Sequence, residues 1–253
     1  MPSHCREGMA AQVPESSSPS VGIRIAIAID NGGGKGLPQI FHPSFNTVSK
    51  VSIFGAVFII AGAGAALAAF VRSGYVTNAG IIRDQPVPFS HQQHVSALGI
   101  DCRYCHTSVE TSAYAGMPAT KTCMNCHQQI WVGSELLAPV RESFQNGKPI
   151  EWNRVHKLAD HVYFNHGVHV AKGVGCVSCH GQIDQMQLVR QHGSLLMEWC
   201  LDCHRAPEKN VRPRDRVFDL DWHPTAAEQK TIGDRLKDEY DLKSMIHCST
   251  CHR

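Results

Sequence analysis

The chain has 253 residues, with 24 Lys and Arg against 22 Asp and Glu, so its net charge is only +2. A charge this close to balance gives no indication of nucleic-acid binding, which is typical of strongly basic chains. The unusual feature is the cysteine content. Ten of the 11 cysteines lie in five copies of the pattern Cys-x-x-Cys-His. This regular arrangement favours cofactor binding over a set of disulfides.

The first 47 residues are rich in Gly, Ser and Pro, a composition typical of chain without a packed core. We expect residues 1–47 to be a partly disordered extension on the cytoplasmic side. An apolar run at residues 21–29 could form a strand. Cys5, the one cysteine outside the repeated pattern, has no lipid-attachment context and is interpreted as incidental.

An uncharged apolar run follows at residues 51–71, between Lys50 and Arg72. Its 21 residues are enough for a helix to cross the hydrocarbon core of a bilayer. The alternative is a cleaved signal peptide, but the apolar region of such a peptide has only about 7–15 residues. We therefore predict one transmembrane helix over residues 48–72.

The rest of the chain contains an internal repeat. Phe89, His91 and His94 precede the motif that begins at Cys102, and Phe164, His166 and His169 stand at the same spacing before the motif that begins at Cys176. A second motif follows in each copy. The repeat predicts a module used twice, over residues 88–130 and 163–207, with a fifth motif appended at residues 248–252.

The repeated motif is the attachment signature of c-type haem. Two thiols three positions apart add to the two vinyl groups of one haem, and the adjacent histidine binds the iron from the same side. The sequence thus predicts five haem c groups. The thioether cysteines would be Cys102, Cys105, Cys123, Cys126, Cys176, Cys179, Cys200, Cys203, Cys248 and Cys251. The proximal iron ligands would be His106, His127, His180, His204 and His252.

Other uses of paired cysteines explain the pattern less well. Zinc ribbons need four ligands but no histidine after every pair. Four-iron ferredoxin binding needs a different cysteine run before a proline, which is absent from the sequence. A thioredoxin-like redox pair would not occur five times.

Each haem iron needs a sixth ligand, and the two His-x-x-His pairs are the first candidates. Residues three apart lie on one face of a helical turn, so one histidine can bind the nearby haem while its partner binds a neighbouring haem. We predict His91, His94, His166 and His169 as distal ligands.

The fifth distal ligand is less determined by the sequence. His156 is the first choice and His161 the second, because both precede the second pair. His223 and His192 are reserves. A methionine ligand would raise the haem potential, but packing against porphyrin is the simpler role for Met117, Met186 and Met197.

These assignments predict a multihaem cytochrome c fold of the class III type, packed around haem, with short helices, loops and little β-structure. Helices are expected near residues 134–144 and 225–240. Because thioether attachment of haem takes place outside the cytoplasm, residues 73–253 are expected on the periplasmic face of a bacterial cytoplasmic membrane, anchored by a single span in the membrane lipid.

Several stretches together resemble one family, the pentahaem cytochrome c subunit of bacterial alternative complex III, a quinol:electron-acceptor oxidoreductase. The resemblance covers residues 38–253 and depends on the anchor and on the order of the motifs. The stretches that carry it are residues 40–46, 88–94, 99–110 and 155–166.

The resemblance implies a subunit that carries electrons and has no catalytic site of its own. Its partners would be iron–sulfur, quinol-oxidising and monohaem cytochrome subunits, and its acceptor a soluble cytochrome or copper protein. Two alternatives remain. A single-helix multihaem quinol dehydrogenase that works alone has the same layout. A multihaem nitrite reductase would need an open iron and, in the pentahaem enzymes, a Cys-x-x-Cys-Lys motif, which this sequence lacks.

Overall fold

The computed structural model describes residues 40–252. The predicted strand at residues 21–29 and most of the predicted extension, 1–47, lie outside the described residues. Ten α-helices lie among residues 40–252: α1 Ser44–Arg72, α2 Gly74–Thr77, α3 Cys102–Cys105, α4 Thr120–His127, α5 Ala138–Asn146, α6 His166–Ala171, α7 Cys176–His180, α8 Met197–Arg205, α9 Ala226–Glu239 and α10 Cys248–Cys251. Shorter turns complete the helical structure: a π-helical turn at Gln92–Ala97 and 3-10 turns at Glu135–Leu137, Ile183–Gln185, Pro207–Lys209 and Arg214–Arg216.

Helix α1 contains the predicted transmembrane segment and begins four residues before it, at Ser44. None of its residues is buried against protein. At 1.5 Å per residue its length is roughly 40 Å, enough to span a bilayer. Among the described residues, the helical stretch Ser44–Thr77, which contains α1, is the one that is long and apolar enough to cross a membrane.

The chain from Val57 onward forms one compact unit, which includes the last part of α1. No β-strand occurs among residues 40–252, and backbone pairing is limited there to three isolated bridges. One of these, between Val174 and Val211, holds the segment before α7 against the loop that follows α8. The predicted architecture of short helices and loops with little β-structure is thus confirmed for these residues.

The apolar core of this unit is small. Val211, Leu236 and Tyr240 form its centre, with Val174, Ile232 and Leu242 packed against it. Helix α9 supplies one side of the core and approaches the turn at Pro207–Lys209 closely, because Gly233 has no Cβ that would meet the carbonyl of Glu208. The side-chain core alone is modest for so long a chain.

Both helices expected in this unit are present. The segment near residues 134–144 forms the 3-10 turn Glu135–Leu137 followed by α5, which extends to Asn146. The segment near residues 225–240 forms α9, whose N-terminus has a capping box. There the Thr225 hydroxyl accepts from the Glu228 backbone N–H at 3.3 Å, and the Glu228 carboxylate accepts from the Thr225 N–H at 2.8 Å.

Candidate haem-binding sites

The two cysteines of each Cys-x-x-Cys-His motif lie on one short helix, namely α3, α4, α7, α8 and α10. His106 and His252 are the residues that follow α3 and α10. A single helical turn brings the two cysteines of a motif to the same face, because residues three apart are neighbours on a helix. All ten motif cysteines are free of disulfide bonds. Burial raises the pKa of the Cys176 thiol to about 11 and that of the Cys179 thiol to about 12. The donor set is therefore five pairs of thiols, each pair on one face of a helix.

Helices α3 and α7, which carry the first motif of each module, are positioned by contacts at their N-termini. Helix α3 is capped by Asp101, whose carboxylate accepts from the Arg103 N–H at 2.8 Å. Helix α7 follows Gly175, where any Cβ would collide with the guanidinium of Arg212. The Cys176 N–H also donates to the carbonyl of Val217 at 3.2 Å. These contacts fix the start of each cysteine pair.

Four of the five motif histidines direct Nδ1 at a backbone carbonyl. The acceptors are Gly116 for His106 (2.7 Å), Ile130 for His127 (3.2 Å), Met245 for His204 (3.0 Å) and His161 for His252 (3.1 Å). A carbonyl only accepts, so Nδ1 carries the proton and Nε2 keeps its lone pair. This is the usual arrangement of a histidine that binds a metal through Nε2.

The fifth motif histidine, His180, is the most deeply placed. Its Nδ1 is buried and has no hydrogen-bond partner. Burial, with smaller effects from nearby histidines, lowers the pKa of His180 to about 3. The ring is therefore neutral at pH 7, as an iron ligand must be.

The two His-x-x-His pairs have the same geometry. In the first, the Phe89 ring stacks on His94 with centroids 4.3 Å apart and meets His91 edge-on at 4.9 Å. In the second, Phe164 stacks on His169 at 4.4 Å and meets His166 edge-on at 4.8 Å. The repeat seen in the sequence is therefore a structural repeat, and in each copy the phenylalanine orients both imidazoles.

In three of the distal candidates, Nδ1 is also hydrogen-bonded to a backbone carbonyl oxygen. The acceptors are Ser90 for His94 (2.8 Å), Ala113 for His166 (3.0 Å) and Asn165 for His169 (2.7 Å). In His91, Nδ1 is buried without a partner. Burial lowers the pKa of His91 to about 4, with a smaller effect from neighbouring His106. All four rings thus remain able to bind iron through Nε2.

Distal and motif histidines come together in pairs. The ring centroids lie 6.2 Å apart for His94 and His127, 6.2 Å for His169 and His204, and 6.4 Å for His166 and His180. Two imidazoles that bind one metal ion through nitrogen–metal bonds of about 2 Å have centroids roughly 6 Å apart. The three measured separations fit two axial ligands on one iron.

The structure separates the two first choices for the fifth distal position. His161 lies beside the C-terminal motif, with its ring 5.3 Å from that of His252 and nearly parallel to it. His156 instead meets His180 edge-on at 4.4 Å, a position next to the ring that His166 also faces. The sequence ranked His156 before His161. In the structure, the ring that packs against His252 is that of His161, whereas the ring of His156 packs against His180.

The remaining candidates lie elsewhere. His223 contacts the side-chain amide of Gln182 at 3.2 Å, and His192 packs over Gly181. Met186 is buried in the protein, whereas Met117 and Met197 are exposed. Met186 therefore has a packing role.

Contacts between the motif segments give them an order in space. The Asn125 amide donates to the Tyr104 hydroxyl at 2.9 Å, which joins the second motif to the first. The second histidine pair reaches the segment after the first motif through the His166–Ala113 contact. The Ser244 hydroxyl donates to the His204 carbonyl at 3.1 Å and joins the fourth motif to the segment just before the fifth. The two carbonyl acceptors, of Ala113 and His204, could not be read from the sequence, because any residue supplies a carbonyl.

The surroundings of the motifs also fit haem. In the protein alone, large apolar side chains next to the motifs are exposed: Tyr104, Ile130, Trp131, Val168, Met245 and Ile246. The flat apolar face of a porphyrin is a suitable cover for such side chains. No group of three or more His, Cys, Asp or Glu in residues 40–252 converges as a site for a bare metal ion. A haem iron needs only two protein ligands, because the porphyrin supplies the other four.

Comparison with known proteins agrees with this chemistry. The family model for cytochrome c7 and related cytochromes c matches residues 87–133, the first histidine pair and the first two motifs. The multihaem cytochrome c subunit of menaquinone reductase from Nitratidesulfovibrio vulgaris is 31% identical over 172 residues, which cover 67% of this chain and 68% of the relative. Identity of this extent places the chain in the multihaem cytochrome c family of that subunit.

Proposed function

We propose that the chain is the electron-transfer subunit of a membrane quinol:electron-acceptor oxidoreductase and relays electrons through five covalently bound haem c groups toward a periplasmic acceptor. The observation that carries this proposal is the pairing of histidine rings at 6.2–6.4 Å. Two paired imidazoles would supply both protein ligands of a haem iron, so a haem held in this way would carry electrons and leave no position for a substrate.

The residues that would hold each haem follow from the pairs. When bound, each haem iron would cycle between its ferric and ferrous states and carry one electron. We assign His161, in place of His156, to the iron at the C-terminal motif. The axial pairs would be His106 with His91, His127 with His94, His180 with His166, His204 with His169 and His252 with His161.

Each histidine pair bridges two motifs. His91 lies near His106 of the first motif, whereas His94 faces His127 of the second. His166 faces His180 of the third, whereas His169 faces His204 of the fourth. With the contacts that join the first motif to the second pair and the fourth motif to the fifth, the order along the protein would be second, first, third, fourth, fifth. A continuous order of this kind suits a relay.

Two comparisons support a role in a quinol-linked complex. The relative in Nitratidesulfovibrio vulgaris is a subunit of menaquinone reductase, and the sequence resembles the pentahaem subunit of alternative complex III. We infer partners of the same classes: iron–sulfur and quinol-oxidising subunits, a monohaem cytochrome subunit, and a soluble cytochrome or copper protein as acceptor. Helix α1 would anchor the chain, with the haem domain on the periplasmic face.

The second candidate is a quinol dehydrogenase that works without partner subunits. A single apolar helix joined to a multihaem domain fits this enzyme as well as it fits a complex subunit, because an enzyme that works alone would need only those two parts. Purification distinguishes the two. Gentle solubilisation of native membranes, followed by isolation of the haem-staining band at 27.8 kDa plus haem, shows which proteins accompany the chain.

The complex-subunit proposal predicts co-purification with an iron–sulfur protein and multi-helix membrane proteins, and menaquinol-dependent reduction of a soluble acceptor that is lost when this chain is removed. Reduction by dithionite serves as the control that the haems are in place. Oxidation of menaquinol by the isolated chain would instead establish the second candidate. Failure of menaquinol to reduce the haems in either preparation would contradict both.

A further inference from the structure

The segment after α1 makes a tight turn. Asn78 adopts a left-handed conformation with φ of 61°, and its N–H donates to the carbonyl of Gly74 at 2.8 Å. At Gly74 itself, a Cβ would lie 2.7 Å from the carbonyl oxygen of Ala79. The chain therefore turns back within a few residues of the end of α1, which needs glycine at position 74.

This turn is bound to a distant segment through Gln191, which is only 3% exposed. The Gln191 side-chain amide donates to the carbonyls of Thr77 at 2.9 Å and Gly193 at 2.8 Å. The backbone carbonyl of Gln191 accepts from the backbone N–H of Gly80 at 2.7 Å. A buried amide satisfied in this way is costly to displace, because its polar atoms would lose their partners.

A second connection comes from the last residue of α1. Arg72 binds the carboxylate of Glu198 with two hydrogen bonds, from Nε to Oε1 and from Nη2 to Oε2, both of 2.8 Å. This bidentate arrangement fixes direction as well as distance. Because both side chains are half exposed, the pair adds little stability, and its effect is on geometry.

Glu198 is the second residue of α8, the helix that carries Cys200 and Cys203. At 1.5 Å of rise per residue, both cysteines lie within about 8 Å of Glu198 along the helix axis. Apart from local contacts with Ala68, Phe70 and Arg83, the hydrogen bonds that leave residues 72–82 within the described chain go to residues 190–198. The end of α1 is thus attached to the approach and start of α8.

Two large side chains at this joint have no protein cover. Tyr75 is 80% exposed and Met197 is 67% exposed. Tyr75 lies three residues after the end of α1 and 5.8 Å from the Phe70 ring. If α1 spans a membrane, chain continuity places Tyr75 at the level of the lipid headgroups, where tyrosine is enriched. Met197 adjoins Glu198, the partner of Arg72, and so lies at the same end of α1. Contact with lipid here would replace the porphyrin packing expected for Met197 from the sequence.

We propose that Arg72, Gln191 and Glu198 form a rigid joint that holds α8 at the membrane surface, with Tyr75 and Met197 in contact with the lipid headgroup region. The inference rests on the proposed membrane span of α1. It makes the anchor a fixed mount for the haem domain, in place of a flexible tether, and gives the domain one orientation on the lipid surface.

Photo-crosslinking tests the contact surface in the haem-loaded full chain in native membranes. A benzophenone amino acid is placed at position 75 or 197, and at exposed Leu136 as the control. The joint predicts lipid adducts at positions 75 and 197 and none at 136. Adducts at 75 without adducts at 197, or protein adducts alone at 197, would overturn the joint while leaving the span intact. The absence of lipid adducts at every position would count against the span itself.

Polarised absorption of the haem Soret band in oriented membrane layers tests rigidity. The variant Glu198→Arg should broaden the angular distribution, and the double variant Arg72→Glu with Glu198→Arg should restore it. Asp202→Arg is the matched control, because Asp202 is an exposed acid on the same helix that faces only Arg205, at 3.7 Å. An unchanged distribution in Glu198→Arg, or equal broadening in Asp202→Arg, would overturn the proposal.

Discussion

The ten imidazole rings assigned to iron are oriented by two recurring devices. A backbone carbonyl holds the Nδ1 proton of seven of them, and a phenylalanine stacks on one ring of each His-x-x-His pair. They fix the tautomer and the ring plane, so that Nε2 is the free donor. Which iron a histidine would bind therefore depends on where its ring lies in the fold. Replacing a single histidine should accordingly affect a single iron.

The assignment of the fifth distal position can be tested with a matched pair of alanine variants. His161→Ala should convert one of the five irons from low spin to high spin, because its only distal ring is removed. His156→Ala should leave all five low spin. Electron paramagnetic resonance of the oxidised proteins measures this difference. The reverse result, with a high-spin signal in His156→Ala alone, would return the assignment to His156.

At the scale of elements, local sequence signals accounted for much of the structure. The uncharged run before Arg72 and the Thr225–Glu228 capping box each predict a helix through a local rule, and both helices are present. The π-helical form of the turn after His91 had no such signal. The contact of Arg72 with Glu198 spans 126 residues, and no pattern within either segment indicates it.

Helix α9 offers a direct test of local stability. Thr225→Ala removes the side-chain acceptor of the capping box and should lower the free energy of unfolding by about 1 kcal/mol. Thr231→Ala is the control, because Thr231 is an exposed interior position of α9 where alanine is favourable. Thermal melts of the haem-loaded proteins give both values. Equal loss in the two variants would show that the cap has no special effect.

At the scale of the molecule, the cysteine and histidine pattern predicted haem attachment, but it did not predict which segments of the chain lie next to each motif. The five motifs are recognisable because covalent attachment demands a fixed spacing. The partner of each motif depends on tertiary contacts such as Asn125 with Tyr104, which the sequence does not encode locally. The same reason explains why the sequence did not indicate that His161 lies beside His252.

The small side-chain core predicts that folding depends on haem. Ordering each residue costs about 1–2 kcal/mol of backbone entropy, and the core around Val211, Leu236 and Tyr240 is too small to offset this over the whole domain. Replacing Cys200 and Cys203 with alanine should remove one haem and make the chain around α8 sensitive to protease. Cys5→Ala should change neither haem content nor digestion. Protease resistance of the double variant equal to that of the parent would contradict a haem-dependent fold.

The central claim is that five haems are bound and that both axial positions of every iron are filled by histidine. Electron paramagnetic resonance of the oxidised, full-length protein, combined with the ratio of haem to protein, tests it most directly. The account predicts five haems per chain, all low spin. Fewer than five haems, or a high-spin signal from an iron with an open position, would contradict it and favour an enzyme that binds a substrate at that iron.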